Sequence, residues 1–338
     1  MKIFIIGGTG FLSSRLTKKL LEKGHKVTLF NRGKTKNNFN NSAKLKIING
    51  DRTNYTSLNN AVKNKTFDIV YDMIAYNENE SLEAVNIFKD KIGRFIHCST
   101  VSVYMISDDL NLPITEDQHN KPLMEYFPRN PFGMDYGINK RNCERVLWEN
   151  HNDNSFPISM LRPTFISGPG DPAKRDYFWI ERILDGGPLL VPGEGNYKFQ
   201  QVLVDDAADA FVKIIETDKS IGQAYSVASE DVMTLNEYLQ KLMNLLNKTE
   251  PFHISQKSFD ELDISYSNEG DVFPFNTRRN AVFSLEKIKK DLNYSSTPFN
   301  EWMPETIDWF INKYQKHSNG YENRDKELNI INEKILRN

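Results

Sequence analysis

Cysteine is almost missing from this chain: Cys98 and Cys143 are the only two, with no CxxC pair and no histidine placed to join them. A disulfide framework and a zinc site are thereby excluded, no metal is expected, and both thiols are expected reduced and buried. An excess of one charge is also missing. Lys and Arg number 43 against 45 Asp and Glu, for a net charge of -2, so the chain lacks the clustered cation surplus of a nucleic-acid binder. No apolar run approaches the length needed to span a bilayer. Met1 leads straight into a core-strand pattern instead of a charged and apolar leader, so a cytoplasmic location with no membrane partner is expected. The six histidines are scattered, and His25 and His97 read as structural.

Hydrophobic residues make up 39% of the 338 positions, enough for the core of one large domain or of a domain with a smaller partner. The first thirteen residues say the most. Lys2-Ile3-Phe4-Ile5-Ile6 breaks into Gly7-Gly8-Thr9-Gly10-Phe11-Leu12-Ser13 and then into a helical pattern. A buried strand ending in glycines lets the backbone turn tightly beside a pyrophosphate, and the next helix aims free N–H groups and a positive dipole end at it. Gly7 and Gly10 hold two fingerprint positions, and Ser13 stands at the third, where a small residue lets helix and strand pack closely. The helix expected over Phe11 to Lys23 places Leu12, Leu16 and Leu20 on one face, stops at Gly24 and leads into Val27-Thr28-Leu29-Phe30, completing a βαβ unit.

Apolar runs at Leu45–Ile48, Phe67–Asp72 and Arg94–Cys98 follow at helix-length intervals, with further strands expected at Ile158–Arg162 and Gln201–Val204. Alternating strands and helices predict an α/β fold, a Rossmann-type doubly wound parallel sheet with a smaller C-terminal substrate-binding lobe. Ligands collect at the carboxyl ends of such strands, where Gly7, Asp51, Thr100 and Pro163 would lie. The expected division is a nucleotide-binding domain over 1–165, rejoined by the strand near 199–206, a lobe over 166–316, and a charged, solvated tail over 317–338.

Tyr136 and Lys140 are four apart in a helical segment and share a face. An unperturbed tyrosine titrates near ~10, and an adjacent ammonium would bring it toward useful basicity. Upstream, the strand through Cys98 ends in Ser99-Thr100-Val101-Ser102-Val103-Tyr104. The glycine-rich turn, this hydroxyl cluster, Tyr-x-x-x-Lys, Arg162-Pro163, Gly168-Pro169 and Val204-Asp205-Asp206-Ala207 together resemble the extended short-chain dehydrogenase/reductase superfamily of nucleotide-sugar epimerases and dehydratases. The resemblance implies Tyr136 as acid/base, Lys140 as the group that lowers its pKa and holds the nicotinamide ribose, and Thr100 as the hydroxyl on the reacting oxygen. It also implies a small-molecule carbonyl or alcohol substrate, a nucleotide sugar among the choices, and a homodimer packed through the Tyr-x-x-x-Lys helix.

Coenzyme contacts are expected from Gly7, Thr9, Gly10, Phe11, Leu12, Arg52, Lys140 and Pro163, from the loop Ile74, Ala75 and Tyr76, and from Asp51, which resembles the family's adenine contact. The second strand ends in Asn31-Arg32-Gly33-Lys34 with no acid for the adenosine ribose. Asn31 does not repel a 2'-phosphate and Arg32 can pair with one, which favours NADP over NAD. The likeness thins at two positions. Sugar-nucleotide members carry Asn and Arg against the diphosphate where this chain has Phe165 and Phe199, with Lys198 nearby. Arg175, Tyr177 and Arg278 are the substrate-side candidates. The wording Gly-Gly-Thr-Gly-Phe-Leu-Ser and Asp-Met-Ile-Ala-Tyr is similar to an atypical branch that includes the chloroplast stem-loop RNA-binding proteins. An RNA-binding protein and a non-catalytic NAD(P)-sensing regulator are therefore the alternative functions.

Overall fold

The computed structural model describes residues 1–35, 39, 42–127, 129–154, 156–246, 248–264, 266 and 273–337. The first apolar run is strand β1 (Lys2–Ile6), the glycine turn opens helix α1 (Phe11–Glu22), and β2 (Lys26–Asn31) closes the unit. Next come β3 (Leu45–Asn49), α2 (Tyr55–Val62), β4 (Phe67–Asp72), α3 (Glu78–Phe88) and β5 (Ile92–Cys98). A short α4 (Ser102–Met105) precedes the long α5 (Met134–Asn154), and β6 (Ile158–Pro163) returns to the sheet. The chain then leaves it through β7 (Phe165–Ser167), α6 (Arg175–Leu184), β8 (Leu189–Pro192), β9 (Lys198–Phe199) and β10 (Gln201–Leu203). Helix α7 (Val204–Lys213) and strand β11 (Gln223–Val227) rejoin it. The rest comprises β12 (Met233–Thr234), α8 (Leu235–Leu245), β13 (Pro251–Ile254), α9 (Gln256–Asp260), α10 (Glu286–Leu292), α11 (Phe299–Trp309) and α12 (Arg324–Arg337).

The central sheet has seven strands in the order β11-β6-β5-β4-β1-β2-β3, every pair parallel. Side chains alternate across it. Ile3 and Ile5 pack on one face with Leu12, Leu16 and Leu20 of α1 and Phe211 of α7. Phe4 and Ile6 pack on the other with Val62, Phe88 and Leu147 of α2, α3 and α5. The direction of winding reverses between β1 and β4, which opens a crevice at their carboxyl ends, the place where such sheets bind ligands.

Two expectations need correction. The strand at 201–203 does not join the central sheet; it pairs with β7 in a separate two-stranded ribbon, and Gln223–Val227 is the seventh strand. The backbone turns helical at Val204, where Asp205 and Asp206 sit in the first turn of α7 and suit its positive end. The C-terminal segment is not merely a solvated tail. Arg324, Glu327 and Ile331 lie on one face of α12 and are all buried. Glu327 accepts from Arg182 of α6 at 2.9 and 2.6 Å, with both side chains completely enclosed. Charge composition concealed that inward face. Among the described residues no helix is long and apolar enough to cross a membrane.

Glu327→Ala leaves the Arg182 guanidinium buried without its carboxylate and is expected to destabilise the fold by about 3–5 kcal/mol. Lys326→Ala, on the exposed side of the same helix, is expected to stay within about 0.5 kcal/mol. Urea denaturation of both variants checks the pair.

Candidate active site

The crevice between β1 and β4 begins at the glycine turn. Gly8 has φ +94°, and a Cβ there would lie 2.5 Å from Leu29 Cδ2, so strand packing and backbone conformation both demand glycine. The buried Ser13 accepts the Gly10 N–H at 3.0 Å, and Thr17 reaches the Gly8 carbonyl at 2.9 Å. These contacts brace the turn from inside the helix. A cleft of about 370 Å³ lies over it, lined by Gly7, Thr9, Gly10, Asn31, Arg32, Asp51, Arg52 and Ile74 among others.

These residues are not equally free to bind. The Asn31 amide donates to the Gly7 carbonyl at 3.4 Å and its oxygen accepts the Gly33 N–H at 2.9 Å, bracing two strand ends. Arg32 and Lys34 are exposed and have no ion-pair partner among the described residues. The Thr53 backbone and hydroxyl, and then the charges of Arg32 and Lys34, hold the Asp51 carboxyl below the usual carboxylate range. Arg52 departs from expectation. Its guanidinium is buried against Asp72 and lies 3.1 Å from Glu80, so charge pairing inside the protein claims it. Asp72 also accepts the N–H groups of Ile74 and Ala75 at 3.2 and 3.0 Å, which fixes the loop after β4.

A second cleft of about 360 Å³ brings together Phe11, Ser99, Thr100, Tyr136, Pro163, Phe165 and Arg175. Thr100 follows β5, its hydroxyl donating to Ser102 Oγ at 3.2 Å, and Tyr136 stands in the first turn of α5 on the same cleft. Gly137 makes the approach possible: a Cβ there would meet the Ser102 carbonyl at 2.8 Å, so any larger residue would push α5 off α4. The Tyr136 ring packs on Tyr76, centroids 5.8 Å apart. Burial raises the Tyr136 phenol well above the ordinary tyrosine range, Cys98 adds to the rise, and the Thr100 hydrogen bond opposes it. The side chain is nonetheless 37% exposed, so the shielding falls on the phenol tip and not on the whole ring.

Lys140 shares the helix face of Tyr136 but spends its charge elsewhere. It is buried, donating to the Ala75 carbonyl at 2.9 Å and the Cys98 carbonyl at 2.6 Å. The main influences on the phenol are burial and its thiol, hydroxyl and aromatic neighbours, while the Lys140 ammonium is held by backbone carbonyls. Leu12 and Ala75 are buried. Leu12 turns into the core under α1 and leaves only its backbone to the cleft. Ala75 likewise contributes a carbonyl, to Lys140.

Sequence reasoning missed the network underneath. Glu144, two turns beyond Tyr136 on the same face, accepts from Arg162 Nε at 2.8 Å and Nη2 at 2.6 Å, and from the Ser99 hydroxyl. Arg162 Nη1 continues to the Tyr104 hydroxyl at 2.7 Å, which meets Ser226 at 3.0 Å. Burial alone would raise the Glu144 carboxyl, but Arg162 and Ser99 outweigh it and hold it below its ordinary range. The signal was present in the spacing 136, 140, 144. Of the three substrate-side candidates, only Arg175 lines this cleft. Tyr177 is buried, its hydroxyl accepting the Gly170 N–H at 2.8 Å and packed on Trp309 and Phe310. Arg278 pairs with Asp260 in a separate cleft of about 580 Å³.

The chain is 27% identical over 306 residues to the chloroplast stem-loop binding protein of 41 kDa b of Arabidopsis thaliana, covering 87% of this chain and 74% of that one. It is 25% identical over 265 residues to the UDP-glucose 4-epimerase of Vibrio cholerae, covering 73% and 76%. Among solved structures, the UDP-glucuronic acid 4-epimerase of Bacillus cereus in complex with NAD superposes with a TM-score of 0.70 at 19% identity, over 93% of this chain and 100% of the other. The sequence profile of the NAD dependent epimerase/dehydratase family matches residues 3–87 and 81–228. By that match, together with the seven-stranded parallel sheet, the chain belongs to the NAD dependent epimerase/dehydratase family, within the extended short-chain dehydrogenase/reductase superfamily.

Proposed function

We propose that this chain binds NAD(P) and catalyses hydride transfer at a carbinol or carbonyl carbon, as an epimerase, dehydratase or reductase with Tyr136 as acid/base. One juxtaposition carries the reading: Thr100 and Tyr136 line one cleft with Phe11 at the first turn of the glycine-linked helix. Family membership and the NAD of the Bacillus cereus epimerase support the same coenzyme class.

The residues fit the group. Gly7 and Gly10 present no side chain to block backbone approach, and the first turn of α1 offers N–H groups to phosphates. NAD(P), when bound, supplies or accepts the hydride. Tyr136 would manage the proton. As a carbonyl carbon gains the hydride, the phenol gives its proton to the oxygen; in the reverse direction a phenolate takes the proton from the alcohol. Thr100 would hold that oxygen in line. Lys140 has three ammonium donors, two of them committed to carbonyls, which leaves one for a ribose hydroxyl. Arg32 and Lys34, without an ion-pair partner among the described residues, favour the 2'-phosphate of NADP.

Tyr136→Phe is expected to keep NADPH affinity within about twofold and to lose roughly 100- to 10,000-fold in turnover, checked by fluorescence titration beside steady-state rates. Because the phenol is held above its ordinary range, its protonated form persists through neutral pH and is lost only as pH rises through the elevated value. Reduction is therefore expected to be flat from pH 6 to 9, and oxidation to climb with pH over the same interval; a reduction rate that falls across neutrality contradicts the assignment. Arg32→Ala is expected to weaken NADPH roughly tenfold or more while leaving NADH unchanged, as measured by parallel titrations.

A further inference from the structure

Arg175 is the one arginine or lysine lining the Tyr136 cleft. Its guanidinium sits over the Phe165 ring at 5.4 Å and approaches Asp171 only to 3.9 Å, beyond hydrogen-bonding distance. Among the described residues no side-chain hydrogen bond involves it. Asp171 is buried and satisfied by the backbone, accepting the N–H groups of Ala173 at 2.9 Å and Arg175 at 3.3 Å. The cleft thus presents a half-covered guanidinium, 28% exposed at its side chain, beside the buried Asp171 carboxylate that lines the same cleft, with its donors free of hydrogen bonds among the described residues. A planar fork of this kind recognises carboxylate or phosphate oxygens.

Of the rings near Arg175, Phe132 and Phe165 line the cleft, and Phe199 and Phe275 pack behind Phe165 in the core. Phe132 and Phe165 stack at 4.8 Å, Phe165 meets Phe275 edge-on at 5.5 Å, and Phe275 stacks on Phe199 at 4.9 Å. All four rings are buried. Lys198, the cation next to Phe199, is exposed while Phe199 faces the core, as neighbouring residues on a strand must. No residue lines both this cleft and the one containing Arg278. At about 360 Å³ the cleft stands near the lower end of small-molecule sites, roughly 300–1,000 Å³, and the buried Phe165 and Phe199 side chains offer a diphosphate no donors.

Building on the reaction proposed above, we propose that the molecule reacting at Tyr136 is a small alcohol or carbonyl compound carrying a carboxylate or phosphate that pairs with Arg175, and not a sugar nucleotide. Phenylglyoxal labelling of Arg175 in the full-length protein, read by peptide mass spectrometry with and without saturating NADP, tests this directly. Inorganic phosphate or malonate is expected to slow labelling, with glycerol inert; stronger protection by phosphate assigns a phosphate group and stronger protection by malonate a carboxylate. Ligand-observed NMR of the protecting anion should show affinity falling roughly tenfold or more in Arg175→Gln, with partial recovery in Arg175→Lys. Protection by neither anion, or unchanged anion affinity in Arg175→Gln, overturns the proposal. So does protection by UDP-glucose at lower concentration than either anion. Failure of wild-type protein to bind NADP in the same samples would instead strike the coenzyme reading, since the anion measurements without NADP stand independently.

Discussion

The site hangs from one buried carboxylate. Glu144 of α5 is enclosed with Arg162 of β6, each with no exposed surface, in a two-point pairing that fixes both distance and orientation. Neither charge could be buried alone without a large desolvation cost. The same carboxylate accepts from Ser99, the neighbour of Thr100, while Tyr136 stands two helical turns from Glu144 on α5. The strand end bearing Thr100 and the helix bearing Tyr136 are therefore referenced to a single anion. That explains how a hydroxyl and a phenol from separate elements stay in register across a solvent-reaching cleft.

The same economy governs the other charged residues near the crevice. Arg52 looked available for a nucleotide but is held by Asp72 and Glu80, and Asp72 in turn holds the loop that reaches Tyr76. Lys140 ties the Ala75 and Cys98 carbonyls, joining the ends of β4 and β5. These cations stabilise loop ends that a parallel sheet leaves with unsatisfied carbonyls. Arg32, Lys34 and Arg175 differ because among the described residues no hydrogen bond ties their side chains to an anion, Arg175 standing 3.9 Å from Asp171, which is a physical basis for separating ligand-binding charges from structural ones.

What the sequence revealed follows from local physics. Strands β1 to β6 were legible because parallel strands buried on both faces read as continuous apolar runs, and the glycine turn because Gly8 admits no substitute between α1 and Leu29. Tyr136 and Lys140 were legible through helical spacing. The misses were long-range. Strand β11 is a five-residue segment, Gln223–Val227, whose strand character comes from pairing with β6 across the fold. The inward face of α12 was hidden because Arg324 and Glu327 look solvated until Arg182 is placed opposite them. The Lys140 contacts with the Ala75 and Cys98 carbonyls were hidden because backbone carbonyls leave no mark in a sequence.

The aromatic lobe shows how a fold can keep its reaction machinery while changing what reaches it. Thr100 and Tyr136 are positioned by the sheet and by Glu144, whereas Phe199 and Phe275 stack on one another in the buried core of the second lobe. Rings can therefore accumulate along β9 and residue 275 without disturbing the phenol. Each buried ring adds apolar area and edge-to-face or stacked contacts worth about 0.5–1.5 kcal/mol per pair, so packing stability favours a filled wall wherever polar ligand contacts are not required. On the proposal made above, the cleft's shape would depend on Phe132 and Phe165 and its charge on Arg175, two properties that can change independently of the proton chemistry.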